Sequence, residues 1–506
     1  MKNKQFVRTK YEFLHQLDLD DDVISRLSLH LDRTLSGSKT VIVAPIAETL
    51  SPDNILKGWD NIVAAKKEVL NKNLHALEVL NRSKFGPRSI AIPWIERRPG
   101  VVEYFGDSPS NLSYKLELLR TGPDPRLRPL SINNAIKLLK NNTNSGLPYY
   151  RRKGLVKDDY SENNNSLLNR EDPCIMFTRT QEAKKTRPVW GYPMADTIEE
   201  MCFYAPLLDH QKKLKWRAAL NGPEAVDQAI IDLISSQASD EKLVSIDFSA
   251  YDTSVKSELQ KFSFDYIKML FQNPTYPRID KIASRFNTIG LITPDGVMSG
   301  EHGVPSGSTF TNEVDSIAQY LCAKSIGISD DKLNIQGDDG AYCVKDPDRL
   351  KETFRSFGLN VNDEKSYISD DYIIYLQGLY DKFYINQGVV GGIYPTYRAL
   401  NRIVYPERFD DFSVDKISGS DYFSIRTIAI LENCKHHPLF ESLVEYIYKL
   451  DKYNLVYTGK GLNKYIERII KSKGSGDFLV NQYSDNLTGI NNFETVKLLK
   501  KLRTLG

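Results

Sequence analysis

The chain has 506 residues, of which 41% are hydrophobic and 26% charged, and its formal net charge is only +2. That length calls for about three lobes or one large composite body, and a mean hydropathy of -0.40 argues against a membrane protein. So small a net charge announces no nucleic-acid partner by itself. Five scattered cysteines without CxxC spacing (Cys174, Cys202, Cys322, Cys343 and Cys434) indicate neither a zinc site nor a disulfide framework.

The first residues, MKNKQFVRTKYEF, are basic but lack the apolar core of a signal peptide. No apolar stretch reaches the roughly 18 residues needed to span a bilayer. A reducing, intracellular setting with buried thiols is the expectation. Acids gather in DLDDD at 18–22, whereas Arg82, Lys84, Arg88, Arg97, Arg98, Arg126, Arg128, Arg151 to Lys153, Arg179, Lys184, Lys185 and Arg187 make the first 190 residues locally basic. A phosphate-binding channel facing an acidic, metal-binding floor would give this distribution, although basic surface clusters are usually just solvated. SGSKTVIVAPI at 36–46 resembles a degenerate phosphate loop. The glycine required before Lys39 is Ser38 and the following residues read as strand, so an ATPase loop is rejected.

From Ser51, a capping residue followed by Pro52, one long helix is predicted through Ser83, with Ile55, Trp59, Ile62, Leu70, Leu74 and Leu77 at roughly helical intervals. Residues 84–192 are rich in Pro, Gly and basic side chains, with apolar runs such as SIAIPWI and the polar tract SENNN at 161–165; they read as loops and short strands. Helices are predicted around 194–220 and from 222, then the strand KLVSIDF. In it Leu243, Ser245 and Asp247 share one face and Val244, Ile246 and Phe248 the other, burying one side and presenting Asp247 at the end. A helix over 255–271 follows, with Leu259, Phe262, Tyr266, Ile267 and Leu270 inside. Residues 299–327 read as a glycine-rich loop leading into a helix with the inner stripe Val314, Ile317, Leu321 and Ala318. Residues 386–506 form a mostly helical lobe interrupted by TGKGLN and KGSGD.

The chain is organised around LNIQGDDGAYCVK at 333–345, a hairpin whose Gly-Asp-Asp-Gly turn supplies glycines where positive φ is needed. Alone it reads as an acidic tip facing water. A second acidic pair, Asp247 and Asp252, changes that. Phosphoryl or nucleotidyl transfer needs divalent cations held by carboxylates, since two ions about 3.5–4 Å apart stabilise both the attacking and the leaving oxygen. Asp247 and Asp338, with Asp339 beside them, would supply hard oxygen ligands suited to Mg²⁺ or Mn²⁺. Backbone amides of Ser306 and Gly307, near a helix start, would approach a phosphate, and Thr311 and Asp315 lie one helical turn apart.

DFSAYD, GVPSGSTFTNEVDS and QGDDG, in this order, resemble motifs A, B and C of viral RNA-dependent RNA polymerases, most closely the picobirnaviruses and next the partitiviruses. NSGLPYY (144–150) is similar to the template-guiding motif G, RTQEAKKTRPVWG (179–191) to the basic motif F, FGLNVNDEKS (357–366) to motif D and YLQGLYDKF (375–383) to motif E. These matches span about 240 residues.

The resemblance implies an α+β right-hand fold of fingers, palm and helical thumb, closed by fingertip–thumb contacts. Residues 1–83 would bridge, 84–192 and 272–300 form the fingers, 193–271 and 301–383 the palm, and 384–506 the thumb and tail. It makes Asp247 and Asp338 the metal ligands with Asp339 in support. It places Asp252 at the ribose 2′-hydroxyl, where reverse transcriptases carry a bulky residue. Ser306 and Gly307 would contact template and nucleotide, with Thr311 beside them. Asn312 and Asp315 both stand as candidates for the ribose network, because Asp315 occupies a position often Asn in relatives. Arg179, Lys184, Lys185 and Arg187 would neutralise the triphosphate, and Lys365 would protonate the leaving pyrophosphate. Ser145, Gly146 and Pro148 would guide the template. Implied partners are template and product RNA, NTPs and viral capsid protein, with no membrane, for a monomer working in the virion interior and host cytoplasm. Two rival readings are a reverse transcriptase, which Asp252 and Gly337 speak against, and a non-catalytic RNA-binding structural protein, which gives no reason for the ordered acids.

Overall fold

The computed structural model describes residues 9–107, 126–161, 164–473 and 489–505. Among them are ten strands: β1 (Cys174–Thr180), β2 (Thr186–Gly191), β3 (Lys242–Ile246), β4 (Leu291–Thr293), β5 (Gly296–Met298), β6 (Leu333–Gln336), β7 (Asp339–Val344), β8 (Tyr367–Ser369), β9 (Tyr372–Tyr375) and β10 (Gly378–Asp381). They form two four-stranded sheets, ordered β2-β1-β4-β5 and β6-β7-β3-β8, and the hairpin β9–β10.

The second sheet is antiparallel throughout, with β3 between β7 and β8. Both faces of β3 are buried, contrary to the single buried face predicted. Val244, Ile246 and Phe248 join the largest core with Phe264, Ile317 and Phe354, while Leu243 packs with Ala341, Cys343, Val226 and Ile230 on the opposite side. Helix Pro223–Ser235 provides that second cover. The reason is the helix Thr311–Ser325, which is buried on every side from Glu313 to Ala323 rather than along one stripe. A helix wrapped all round by protein needs no polar face.

The amino-terminal residues touch two lobes. Helix Asp21–Ser36 buries Val23, Ile24, Leu27 and Leu31 with Leu147, Ile175 and Ile292 of the first sheet's lobe. Ile55, Trp59, Leu74 and Leu77 instead pack with Tyr397, Leu400, Ile428 and Val444 of the carboxy-terminal helices. Two polar anchors fix this second contact. Trp59 Nε1 donates to Thr396 Oγ1 at 3.1 Å, and the buried Glu78 accepts from the Thr396 amide and hydroxyl, each at 2.7 Å. The acidic run at 18–22 is spent locally, Asp18 on Arg170 and Asp22 on Arg26 and Arg151.

Several predicted elements are redrawn. The long helix from Ser51 is two, Pro52–Ala65 and Lys72–Arg82, because extended Asn71 caps the second through the Leu74 amide; side-chain capping competes with continuing the helix. Residues 39–45 form no strand; Ser38 makes an isolated bridge to Ala91, and Val41 and Val43 are exposed. SIAIPWI likewise ends in a helix, Trp94–Val102. All five cysteines are buried and free. Part of SENNN, at 162–163, and nearly all of KGSGD lie outside the described residues. Among the described residues no helix is long and apolar enough to cross a membrane.

Candidate active site

Gly337 and Asp338 are the two turn residues between β6 and β7, since Gln336 already pairs with Asp339. Of the two flanking glycines only Gly337 has positive φ, +64°. Gly340 serves another purpose: a Cβ there would lie 2.0 Å from Gln319 Oε1. The turn is held from below by the buried helix. Ser316 Oγ accepts from the Gly337 amide at 2.8 Å, and Gln319 Nε2 donates to the Gly337 carbonyl at 3.0 Å. Asp338 is thereby left exposed at a fixed tip.

Asp247 follows β3 directly. Its amide donates to Ser366 Oγ at 3.1 Å, its carbonyl accepts from the Asn362 amide at 2.9 Å, and Asn362 Nδ2 donates to Oδ2 at 3.2 Å. Burial raises the Asp247 carboxyl above its ordinary range; Lys365 opposes this and the charge of Asp338 adds to it. Burial, then Asp338 and Asp247, pushes Asp339 up to about 7. Asp252 is pushed up to about 6 by burial and by Asp338, with Arg187 opposing. Asp315 rises well above the carboxylate range through burial, Asp252 and Asp338. One exposed carboxylate, Asp338, thus acts on four others.

The loop before helix Thr311–Ser325 is built into its surroundings. Val304 donates its amide to the Asp252 carbonyl at 2.6 Å, and a Cβ on Gly303 would meet that same oxygen at 2.4 Å. Ser306 Oγ donates to the Pro188 carbonyl at 3.1 Å, and a Cβ on Gly307 would come within 1.6 Å of the Trp190 carbonyl. The Gly307 amide is not free for a phosphate, because it donates to the Pro305 carbonyl at 2.6 Å. Nor does the helix start there; its cap is Phe310. Thr311 Oγ1 donates to the Pro305 and Ser308 carbonyls, 2.9 Å each, so its hydroxyl closes the loop.

Asn312 and Asp315 part company. Asn312 Oδ1 accepts from Arg217 Nη2 at 3.2 Å, and Arg217 is fully buried in an ion pair with Glu313. Asp315 is buried beside Asp252, and its Oδ1 has no hydrogen-bond partner.

The four predicted cations also separate. Lys185 and Arg187 face the acids: the Lys185 ammonium, lowered chiefly by burial, is held up by Asp247 and Asp338, and Arg187 acts on Asp252. Arg179 pairs with Glu407 of the carboxy-terminal lobe at 3.0 Å, and Lys184 stands exposed at φ +58°. Between them Glu182 pairs with Arg88 at 3.3 Å and Arg398 at 3.5 Å, which ties this hairpin tip to the helical lobe. Lys365 is exposed in the segment before β8. Two cations that sequence reasoning did not assign to the site reach it. Lys84 feels Lys365 and Asp247, and Arg398 acts on Asp339. Only the basic composition around residue 84 hinted at the first; nothing local marked Arg398.

At 144–150, Ser145 and Gly146 are interior residues. Ser145 Oγ donates to the Gly146 carbonyl at 3.2 Å, and a Cβ on Gly146 would lie 2.3 Å from the Tyr192 carbonyl. Pro148, after a cis peptide bond, is partly exposed.

A family model described as viral RNA-dependent RNA polymerase matches residues 125–377. The chain is 26% identical over 524 aligned residues, covering 94% of this chain and 97% of the relative, to a potential RNA-dependent RNA polymerase of human picobirnavirus (strain Human/Thailand/Hy005102/-). It is 23% identical over 296 residues, 51% of this chain and 56% of the relative, to an RNA-directed RNA polymerase of Cryptosporidium parvum virus 1. Among solved structures, the crystal structure of the RNA-dependent RNA polymerase of a human picobirnavirus aligns over 96% of this chain and 100% of that one, with a TM-score of 0.79 at 24% identity. An insertion-loop deletion mutant of such a polymerase aligns over 95% and 97%, with a TM-score of 0.78 at 25% identity.

Proposed function

The chain belongs to the viral RNA-dependent RNA polymerases, and from that premise we propose how its residues divide the work of copying RNA. Residues 84–192 and 272–300 act as fingers, 193–271 and 301–383 as palm, and 384–506 as thumb and tail, with 1–83 bridging. The observation that carries the site assignment is the pairing of β3 with β7, Ile246 opposite Gly340, which brings Asp247 beside the Gly337–Asp338 turn; burial, with the charge of Asp338, raises the Asp247, Asp339, Asp252 and Asp315 carboxyls. Acids that repel one another in a partly buried site are stabilised by a cation.

The donor set fits Mg²⁺ or Mn²⁺, with Asp247 and Asp338 as ligands and Asp339 in support. Among the described residues no three acids or other donors are grouped to hold an ion by themselves, so substrate phosphates and water would complete the shell, as Mg²⁺ commonly requires. When bound, the ions supply charge neutralisation at the α-phosphate and activation of the attacking 3′-hydroxyl. Lys185 and Arg187 neutralise the triphosphate, with Arg179 and Lys184 joining from the fingertip. Lys365 gives a proton to the leaving pyrophosphate. Asp252 meets the ribose 2′-hydroxyl, and Asp315, buried beside it with an unpartnered oxygen, is its companion; Asn312 is engaged by Arg217 instead. Ser306 and Gly307, whose free side is exposed, contact template and nucleotide, and Thr311 shapes their loop. Pro148 presents the template-guiding segment, for which Ser145 and Gly146 are the internal frame.

Template and product RNA and NTPs are the partners, with capsid protein a further one. The enzyme acts as a monomer in the virion interior and host cytoplasm.

The test is labelled-nucleotide incorporation on a single-stranded or primed RNA template with NTPs or dNTPs, with and without Mg²⁺ or Mn²⁺. Metal-dependent NTP incorporation that Asp338→Ala abolishes is expected. Retained synthesis in that variant overturns the metal assignment, and dNTP incorporation alone points to a reverse transcriptase.

A further inference from the structure

Glu200 lies on helix Met194–Gln211 and is 3% exposed. Its two carboxylate oxygens accept from two consecutive residues of one loop: Ser308 Oγ donates to Oε1 and the Thr309 amide to Oε2, both at 2.7 Å. Among the described residues it forms no ion pair within 4 Å; burial, with Asp196 adding to it, pushes its carboxyl up to about 7, and its charge acts at longer range on Lys153. An unpaired charge is expensive to bury, and an apolar side chain would pack here at less cost. What the carboxylate provides is a pair of acceptors that no neutral side chain of its size offers.

The loop it grips is the one carrying Ser306 and Gly307. On its other side that loop is pressed on β2, through Ser306 Oγ on the Pro188 carbonyl and Gly307 against the Trp190 carbonyl. β2 also carries Arg187, and Tyr192, the residue directly after the strand, abuts Gly146. One strand-to-helix segment therefore touches the loop, the basic hairpin and the template-guiding turn.

We propose that Glu200 is a positioning residue for RNA synthesis, its carboxylate fixing the Ser306–Gly307 loop against β2 through Ser308 and Thr309. This rests on the role given above to Ser306 and Gly307. Glu200 touches no substrate and acts only through the loop.

The experiment measures single-nucleotide elongation on a primed RNA at pH 8, RNA affinity and melting temperature for Glu200→Leu, Ser308→Ala, their double variant and Ser306→Ala. Expected for Glu200→Leu is a folded protein whose melting temperature is set by two opposed effects, relief of the buried carboxylate and loss of the acceptors of Ser308 and Thr309, with unchanged RNA affinity and elongation slower by on the order of tenfold or more well below the melting temperature. Ser308→Ala slows elongation in the same direction, and the double variant is no slower than Glu200→Leu alone. Unchanged elongation in a folded Glu200→Leu overturns the proposal. So does a loss that tracks a fall in melting temperature and vanishes on cooling. Should Glu200→Leu not fold, Glu200→Gln, which keeps the shape and loses one acceptor, is read the same way. Ser306→Ala separates the two claims: normal elongation there overturns the loop's role, whereas slowed elongation there with normal Glu200→Leu overturns Glu200 alone.

Discussion

Two hairpin tips carry charges that act on one another, Lys185 on one and Asp338 on the other, and they are held in opposite ways. The Gly337–Asp338 turn is fixed by neutral hydrogen bonds from Ser316 and Gln319 in a wholly buried helix. The tip at 181–185 reaches across to the helical lobe through ion pairs from Glu182 to Arg398 at 3.5 Å and from the neighbouring Arg179 to Glu407 at 3.0 Å, and Glu182 also pairs with Arg88 at 3.3 Å. Buried neutral bonds enforce one geometry, whereas partly exposed ion pairs exchange partners readily and weaken with salt. On the proposed roles, the acids that would hold the metal sit on the rigid tip, and the cations that would receive and release a polyphosphate sit on the adjustable one.

The difference sharpens most where chemistry and affinity are separated. Asp338→Ala should abolish nucleotide incorporation while filter binding shows RNA affinity largely kept, because that affinity is mostly a matter of basic residues and salt. Loss of both together would blur the division.

Between the two tips lies the loop gripped by Glu200, where pH gives the next effect. The folded protein holds this carboxyl at about 7 against an ordinary 4.5. The native state therefore binds the proton more tightly, so its contribution to stability is present in full below pH 4.5 and is lost as pH rises through 7. The loss is roughly 3 kcal/mol. Glu200→Gln removes it, so its melting temperature should gain on the wild type's between pH 5 and pH 8. A constant difference across that range counts against the burial of an unpaired charge.

Ser316→Ala leaves the buried Gly337 amide without an acceptor. It should cost on the order of 1–3 kcal/mol in denaturant unfolding and slow incorporation. If neither changes, the turn is not fixed from below and the contrast breaks. Arg179→Gln, which removes the exposed ion pair to Glu407 at the adjustable tip, should cost less than about 1 kcal/mol. Added salt should erase that difference, while the KM for NTP moves.

The rigid tip was legible in the sequence because its cues are local: two short β-favouring runs, a glycine at the first turn position and paired acids. The ordered motifs added the fold. What the sequence did not yield comes from contacts far along the chain. Lys84 and Arg398 are 314 residues apart and meet near the acids only because the amino-terminal helices dock on the carboxy-terminal helices. Glu200 did leave a trace. It occupies the same helical stripe as Phe203 and Leu207, a charged residue on an apolar face, which is the pattern that marks a buried polar group with a partner. Arg217 left none, since its partner Glu313 lies 96 residues along the chain. The Gly307 amide was misjudged for a related reason, a turn bond to Pro305 that no spacing rule reveals.

The bracket around Asp247 has a kinetic meaning. Asn362 and Ser366, which grip its backbone, flank Lys365 in the chain. On the roles proposed above, the carboxylate that would hold the metal and the ammonium that would protonate the leaving group are mounted on a single frame. Bond making at the 3′ end and protonation of the departing diphosphate would then share one clock, and a substitution that loosens Asn362 would desynchronise them.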